Sequence, residues 1–130
     1  MADWWQWSQK KEQEALTFAV VGVGRFGTAV CRELISNGVD VLAADASEKA
    51  IDDLRQLEPS IEARVIDCTD EESMKESGIL EMNTVVVGIS EPIEASITTT
   101  LIAKDSDGSK VKKVIARACL LYTSPSPRDS

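Results

Sequence analysis

The sequence predicts an α/β domain with a Rossmann-like, doubly wound parallel sheet, and three observations lead to that prediction. Five short apolar runs of strand length alternate with four segments of helical periodicity. A glycine-rich loop, residues 22–27, joins the first run to the first helix. The connections are short, so right-handed crossovers favour the strand order 3-2-1-4-5. A chain of 130 residues has the length of one domain.

Each predicted strand is a short apolar run that ends near a glycine or a polar residue. The first run ends at Gly22, the second at Asp45 and the third at Asp67. Continuous apolar runs of this length are typical of strands that are buried on both faces. In chain order, the predicted strands are residues 16–21, 39–44, 61–66, 84–89 and 111–116.

The predicted helices are placed by capping residues and by apolar spacing. The first covers residues 25–37 and stops at an Asn-Gly pair. Ser47 caps the second, residues 69–72 form a capping box that opens the third, and residues 90–92 open the fourth. The buried stripes expected of the second and fourth helices are Ile51, Leu54 and Leu57, and Ile93, Ile97 and Leu101, respectively.

Composition excludes several classes of function. The net charge of −8, from 14 basic and 22 acidic residues, argues against general binding to nucleic acid or to an anionic membrane surface. The chain has no histidine, and its three cysteines lack metal-ligand spacing. Zinc sites, Ser-His-Asp triads and Cys-His dyads are therefore not expected. Since no apolar stretch approaches the ~20 residues of a membrane span, we expect a cytoplasmic protein with reduced thiols.

The two ends of the chain are expected to lie outside the domain, which is predicted over residues 16–118. Residues 1–15 are polar apart from Trp4, Trp5 and Trp7; a disordered leader and a docking segment are both open interpretations. Residues 119–130 have no helical or strand period. They resemble the translated read-through of a sequencing adapter, and a natural Pro/Ser linker is the alternative.

The glycine loop Gly22-Val-Gly-Arg-Phe-Gly27 has the context that a dinucleotide-binding motif requires, with a strand before it and a helix after it. Gly22 permits a tight turn out of the strand. Gly24 lets a pyrophosphate approach the backbone, and Gly27 lets the helix pack closely on the sheet. The N–H groups of the first helical turn then hold the phosphates, and we place Phe26 in the binding loop with them.

Asp45, at the end of the second strand, is expected to accept hydrogen bonds from the ribose hydroxyls of an adenosine. Because no arginine follows it, a ribose 2′-phosphate would have no counter-charge, and NADP is disfavoured. NAD(H), ATP and ADP remain open as ligands. Arg25, inside the loop, is a candidate for contact with a β- or γ-phosphate, and a solvated arginine is the alternative.

Three further strand ends are expected at the same edge of the sheet. Asp67 and Cys68, which precede Thr69, are candidates for contact with the adenine end of the ligand. Gly88 and Ser90 follow the fourth strand, next to the topological switch point where such sheets bind ligands. Arg117 ends the fifth strand and is a weaker candidate for the same crevice.

The run from Phe18 to Leu34 resembles the start of the RCK N-terminal (KTN) domain of TrkA/KtrA-type potassium uptake regulatory proteins. The segments around Asp45, residues 67–69, 84–91 and 96–101 follow in the order that the family shows, and the resemblance extends over residues 16–118. The family normally continues beyond that point, so the resemblance implies a domain that is incomplete at its C-terminal end.

The resemblance implies a regulatory subunit rather than an enzyme. Such domains form dimers and then an octameric ring beneath a potassium-translocating membrane subunit, on the cytoplasmic side. ATP and ADP, or NADH and NAD+, bind at the glycine loop and favour different ring shapes, which gate the pore. It further implies that Arg25 reaches the terminal phosphates, with a contact across the dimer interface as one open arrangement.

Two other functions remain as alternatives at the level of sequence. One is the cofactor-binding half of an NAD-dependent dehydrogenase, which would need a catalytic residue from a further domain. The other is a non-catalytic interaction domain with an empty site. The absence of histidine disfavours the first, and the complete phosphate loop disfavours the second.

Overall fold

The computed structural model describes residues 17–116, which form one five-stranded parallel sheet with helices on both faces. The strands are β1 (Thr17–Val21), β2 (Asp40–Asp45), β3 (Glu62–Val65), β4 (Thr84–Val87) and β5 (Lys113–Ala116). The helices are α1 (Arg25–Ser36), α2 (Glu48–Leu57), α3 (Glu71–Ser77) and α4 (Ile93–Asp105), with a 3₁₀ turn at Ile79–Glu81. Residues 1–16, with the tryptophan-rich leader, and residues 117–130, with Arg117, lie outside the described residues.

The strand order is β3-β2-β1-β4-β5, as predicted. β1 is central and pairs in parallel with β2 on one side and β4 on the other. The chain leaves β1 toward β2 and β3, and later returns to place β4 on the opposite side of β1. The loops that follow β1 and β4 therefore lead to helices on opposite faces of the sheet, and a crevice opens between these loops at the switch point.

Two apolar clusters, one on each face of the sheet, hold the layers together. The first face is covered by α1 and α2, which contribute Cys31, Ile51 and Leu54. The second is covered by α3, the 3₁₀ turn and α4, which contribute Met74, Ile79 and Ala103 among others. Strands β1, β2 and β4 are almost fully buried, which explains why their sequences are continuous apolar runs.

Two predicted apolar stripes are partly wrong. Leu57, predicted to be buried on α2, is 49% exposed at the last turn of that helix. All three residues of the stripe predicted to be buried on α4 are about half exposed: Ile93, Ile97 and Leu101 are 53%, 50% and 53% exposed. Instead, α4 buries its small side chains against the sheet, namely Ser96, Thr99 and Ala103.

Two helix starts also differ from the prediction by one or two residues. Asp70, not Thr69, caps α3, and its side chain accepts a hydrogen bond from the N–H of Ser73 at 3.0 Å. Pro92 occupies the N-cap position of α4, so Ser90 does not cap that helix. Both shifts leave Thr69 and Ser90 in the connections that follow β3 and β4, at the edge of the sheet where the glycine loop lies.

Candidate functional site

The glycine loop leaves β1 through a turn that only glycine accommodates easily. Gly22 has φ +92°, and a Cβ there would lie 2.8 Å from the backbone nitrogen of Ile89. Gly27, in the first turn of α1, is packed against the same turn: a Cβ on it would lie 1.9 Å from the carbonyl oxygen of Gly22. At this point the backbone of the helix packs directly on the backbone of the turn that ends the strand, as the motif predicts.

Gly24 differs from the other two glycines because it faces open space. A Cβ on Gly24 would meet no atom within 4 Å, and the residue is exposed. It is the N-cap of α1, and within residues 17–116 no side chain caps that helix end. The N-terminus of α1 therefore presents the positive end of its dipole to the outside, where a phosphate is the natural acceptor.

Asp45 is fixed beside the loop by two backbone donors. Its Oδ2 accepts a hydrogen bond from the N–H of Val23, and its Oδ1 accepts one from the N–H of Ser47, each at 2.8 Å. Asp45 is half-buried. Each carboxylate oxygen has a second lone pair, so the group is oriented and still has capacity for the two hydroxyls of a ribose.

The turn after β3 forms another wall of the site. Asp67 Oδ1 accepts hydrogen bonds from the N–H and the hydroxyl of Thr69, at 3.0 and 2.6 Å. These bonds hold the pKa of the Asp67 carboxyl below its ordinary value. Cys68 is buried, and burial raises the pKa of its thiol to about 12, helped by the negative charges of Asp45 and Asp67. The Cys68 thiol is therefore a neutral wall of the site at physiological pH.

These elements enclose a cleft of about 340 Å³ at the carboxyl edge of the sheet, within the size range of small-molecule sites. Seven of the ten predicted binding residues line it. They are Gly22, Gly24, Asp45, Asp67, Cys68, Gly88 and Ser90. The remaining lining residues come from the same loops and from the start of α4: Ala46, Thr69, Ile89, Glu91, Pro92 and Ala95.

The other three predicted residues do not line the cleft. Gly27 is buried below it, and Phe26 is half-buried in the core, where a Cβ on Gly88 would lie 3.3 Å from its ring. Arg25 is exposed at the start of α1. Among the described residues, the charged side chains that line the cleft are acidic: Asp45, Asp67 and Glu91.

Sequence reasoning missed the contribution of Glu91, Pro92 and Ala95. It treated Ser90–Pro92 as the opening of a helix and stopped the site at Ser90. The position of the switch point could have indicated these residues. Because the crevice lies where the connections after β1 and β4 separate, the residues that connect β4 to α4 are expected to border it.

Comparison with known proteins identifies the family. The TrkA-N domain model matches residues 18–123. The Ktr system potassium uptake protein C of Bacillus subtilis (strain 168) is 41% identical over 88 residues, which are 68% of this chain and 39% of the relative. The Ktr system potassium uptake protein A of Vibrio alginolyticus is 40% identical over 101 residues, 78% of this chain and 44% of the relative. The chain thus spans less than half the length of these relatives.

Solved structures confirm the fold. The TrkA-N domain of the inner membrane protein ybaL from Escherichia coli superposes with a TM-score of 0.62 at 16% identity, covering 85% of this chain and 93% of that one. The NAD(P)-binding domain of an exopolyphosphatase-related protein from Archaeoglobus fulgidus also gives 0.62, at 20% identity, covering 84% and 93%. Within residues 17–116, no helix has the length and apolar character needed to cross a bilayer. By its sequence and its fold, the chain belongs to the TrkA-N domain family.

Proposed function

We propose that this domain is the nucleotide-sensing part of a potassium uptake regulatory subunit. In this proposal it binds ATP and ADP, or NAD(H), in the cleft beside the glycine loop and thereby gates a potassium-translocating membrane subunit. The relatives' names, which refer to potassium uptake, support the cellular role. We further propose that the protein acts in the cytoplasm, reaches the membrane only through its partner and has no catalytic reaction of its own.

The observation that carries the proposal is the arrangement of Asp45 beside an uncapped helix N-terminus. Two backbone N–H groups orient the carboxylate, and Gly24 leaves the approach to α1 open. Phosphates at the helix end and a ribose at Asp45 are the two halves of one adenosine nucleotide. Since the cleft lining is acidic, backbone N–H groups and the nearby Arg25 are the groups that offset the phosphate charge.

Ligand-dependent thermal unfolding tests the binding step. At ten times its Kd, a nucleotide is expected to stabilise the domain by about 1.4 kcal/mol and to raise Tm by roughly 5–10 °C. The D45A variant is expected to lose most of that shift for ATP, ADP, NAD+ and NADH. Its matched control is D40A, which removes the exposed aspartate at the opposite end of the same strand.

Two results would contradict the proposal. One is the absence of any Tm shift in the wild-type chain with millimolar nucleotide. The other is an equal loss in D45A and D40A, which would show that the shift does not depend on the ribose position. In cells, potassium uptake through the membrane partner is expected to lose its nucleotide dependence with D45A and to keep it with D40A.

The resemblance also implies self-association, and the exposed face of α4 supports it. Ile93, Ile97 and Leu101 recur every four residues and are each about half exposed, so they form one apolar stripe on the outer surface of the helix. A second copy of the domain is the proposed occupant of this stripe.

Sedimentation velocity of I97D and T98D tests this assignment. Both substitutions introduce a charge at an exposed position of α4, and only the first lies on the apolar stripe. I97D is expected to shift the distribution toward monomer, while T98D sediments like the wild type. Unchanged self-association in I97D would show that α4 does not form the interface, and it would leave the proposal on nucleotide binding unaffected.

A further inference from the structure

Helix α4 touches the cleft in two places. Its N-cap, Pro92, and its first turn, at Ala95, line one side of the cleft. One turn further along, Thr99 is fully buried, and its hydroxyl donates a hydrogen bond to the carbonyl oxygen of Cys68 at 2.9 Å. Cys68 lines the same cleft, so this bond joins α4 to another segment that borders the site, 31 residues away in sequence.

The turn that contains Cys68 has its own internal hydrogen bonds, but these fix only its shape. Asp67 accepts from the N–H and hydroxyl of Thr69, and the carbonyl of Asp67 accepts from the N–H of Asp70 at 3.1 Å. Such local bonds move with the turn. The bond to Thr99 is different because its donor lies on an element that packs against the sheet.

The neighbouring hydroxyls of α4 show that this contact is specific to Thr99. The hydroxyl of Thr100 donates to the carbonyl of Ser96 within the same helix, at 2.8 Å. The buried hydroxyl of Ser96 has no partner among the described residues. Of these three hydroxyls, the one on Thr99 bonds to a residue that lines the cleft.

We propose that Thr99 is a positioning residue for the nucleotide site, and that its hydroxyl holds the turn after β3 at the correct distance from the start of α4. This inference rests on the proposed function. Without the hydroxyl, the buried carbonyl of Cys68 has no partner, and a buried carbonyl gains by moving toward water. Because Cys68 lines the cleft, we expect the turn to relax into the volume that we propose for the adenosine end of the ligand.

The test compares three variants of the full chain by titration calorimetry with ATP and with inorganic tripolyphosphate. T99V keeps the shape of the side chain and removes the hydroxyl, T100V does the same one residue along, and T99S restores the hydroxyl. Loss of one hydrogen bond of this kind corresponds to about a five- to tenfold weaker Kd for ATP in T99V. Tripolyphosphate, which lacks adenosine, is expected to bind within twofold of the wild type. T100V and T99S are expected to resemble the wild type for both ligands.

Amide hydrogen exchange tests the same proposal without a ligand. In T99V the N–H of Ile66, which donates to the carbonyl oxygen of Asp45 at 3.1 Å and so joins the turn to β2, is expected to exchange about tenfold faster than in the wild type and in T100V, while the amides of β1 and β4 keep their rates. Equal weakening of ATP and tripolyphosphate in T99V would mean general loosening and would overturn the proposal. Exchange at Ile66 that is the same in T99V and the wild type would also overturn it. If the wild type binds neither ligand, or ATP alone, the exchange rates still decide the role of Thr99; the proposed function is removed only if NAD+ and NADH also fail to bind.

Discussion

Replacing Gly27 by alanine tests how closely α1 sits on the strand that precedes it. The added Cβ would lie 1.9 Å from the carbonyl oxygen of Gly22 and 2.9 Å from its carbonyl carbon, and real Cβ atoms essentially never approach closer than 3.0 Å. Both atoms of Gly22 belong to backbone, in a turn whose φ of +92° leaves little alternative. The start of the helix and the loop must therefore separate by about 1 Å, which breaks a tightly packed contact.

The expected loss of stability follows from two opposing terms. Overpacking a well-packed site costs about 1–3 kcal/mol, and slightly more, about 3–4 kcal/mol, where only backbone atoms can give way, as they must here. Alanine has a better helix propensity than glycine by about 1 kcal/mol, which offsets part of that loss. The net loss is about 2–3 kcal/mol, and in a domain of roughly 100 residues this lowers Tm by about 10–20 °C.

Thermal unfolding followed by circular dichroism measures this loss, with Gly24→Ala as the matched control. A Cβ on Gly24 meets no atom within 4 Å, so G24A loses at most about 1 kcal/mol, from the poorer N-cap. G24A is nevertheless expected to weaken nucleotide binding, since the methyl group occupies the approach to the helix end. A Tm for G27A within 3 °C of that of G24A would refute the close-packing argument.

Three further predictions concern single side chains. S96A is expected to raise the free energy of unfolding by about 0.5–1 kcal/mol in urea, because it removes a buried hydroxyl that has no partner within residues 17–116 and improves helix propensity; a loss of stability would contradict this reasoning. Cys31 and Cys68, whose burial raises the thiol pKa from 9.0 to about 12, are expected to resist alkylation at pH 8 in peptide mass spectra. Since unfolding restores the lower pKa, their contribution to stability is full below about pH 9 and falls as pH rises above it. R25Q is expected to weaken the binding of ATP more than the binding of NADH, whereas the control R32Q, on the same helix, leaves both unchanged. Equal weakening of ATP and NADH binding in R25Q would show that Arg25 does not contact the terminal phosphates.

The sheet, and the part of the site formed by the glycine loop, Asp45 and Asp67, could be predicted from sequence because both depend on local rules. Alternating apolar runs and helices allow few topologies once crossovers are right-handed. The glycine loop and Asp45 are separated by one strand–helix–strand unit, and adjacent strands of a parallel sheet bring their ends together. Asp67 follows from the same reasoning applied to the next strand.

The face of α4 could not be predicted because two stripes on that helix are compatible with burial. The rule that a helix buries its most apolar stripe favours Ile97 and Leu101. The structure instead packs Ser96 and Thr99 against the sheet, where small side chains allow a close approach. Sequence alone does not tell whether an apolar stripe faces the domain's own sheet or another surface, since the hydrophobic effect is non-directional.

Helix α4, whose buried face was predicted wrongly, is also the element that connects the separate parts of the proposed mechanism. Its start borders the cleft at Ala95, its buried side donates from Thr99 to the turn that carries Asp67, and its outer side exposes Ile97. A ligand can shift an assembly only by binding its alternative states with different affinity. Because α4 borders the cleft and also carries the apolar stripe, a displacement of the helix on ligand binding would change both surfaces, and this is the physical link that the proposed coupling uses. I97D and T99V therefore probe opposite faces of α4. If the two faces are coupled, ATP changes the self-association of T99V by a different amount from that of the wild type, whereas T100V responds to ATP as the wild type does.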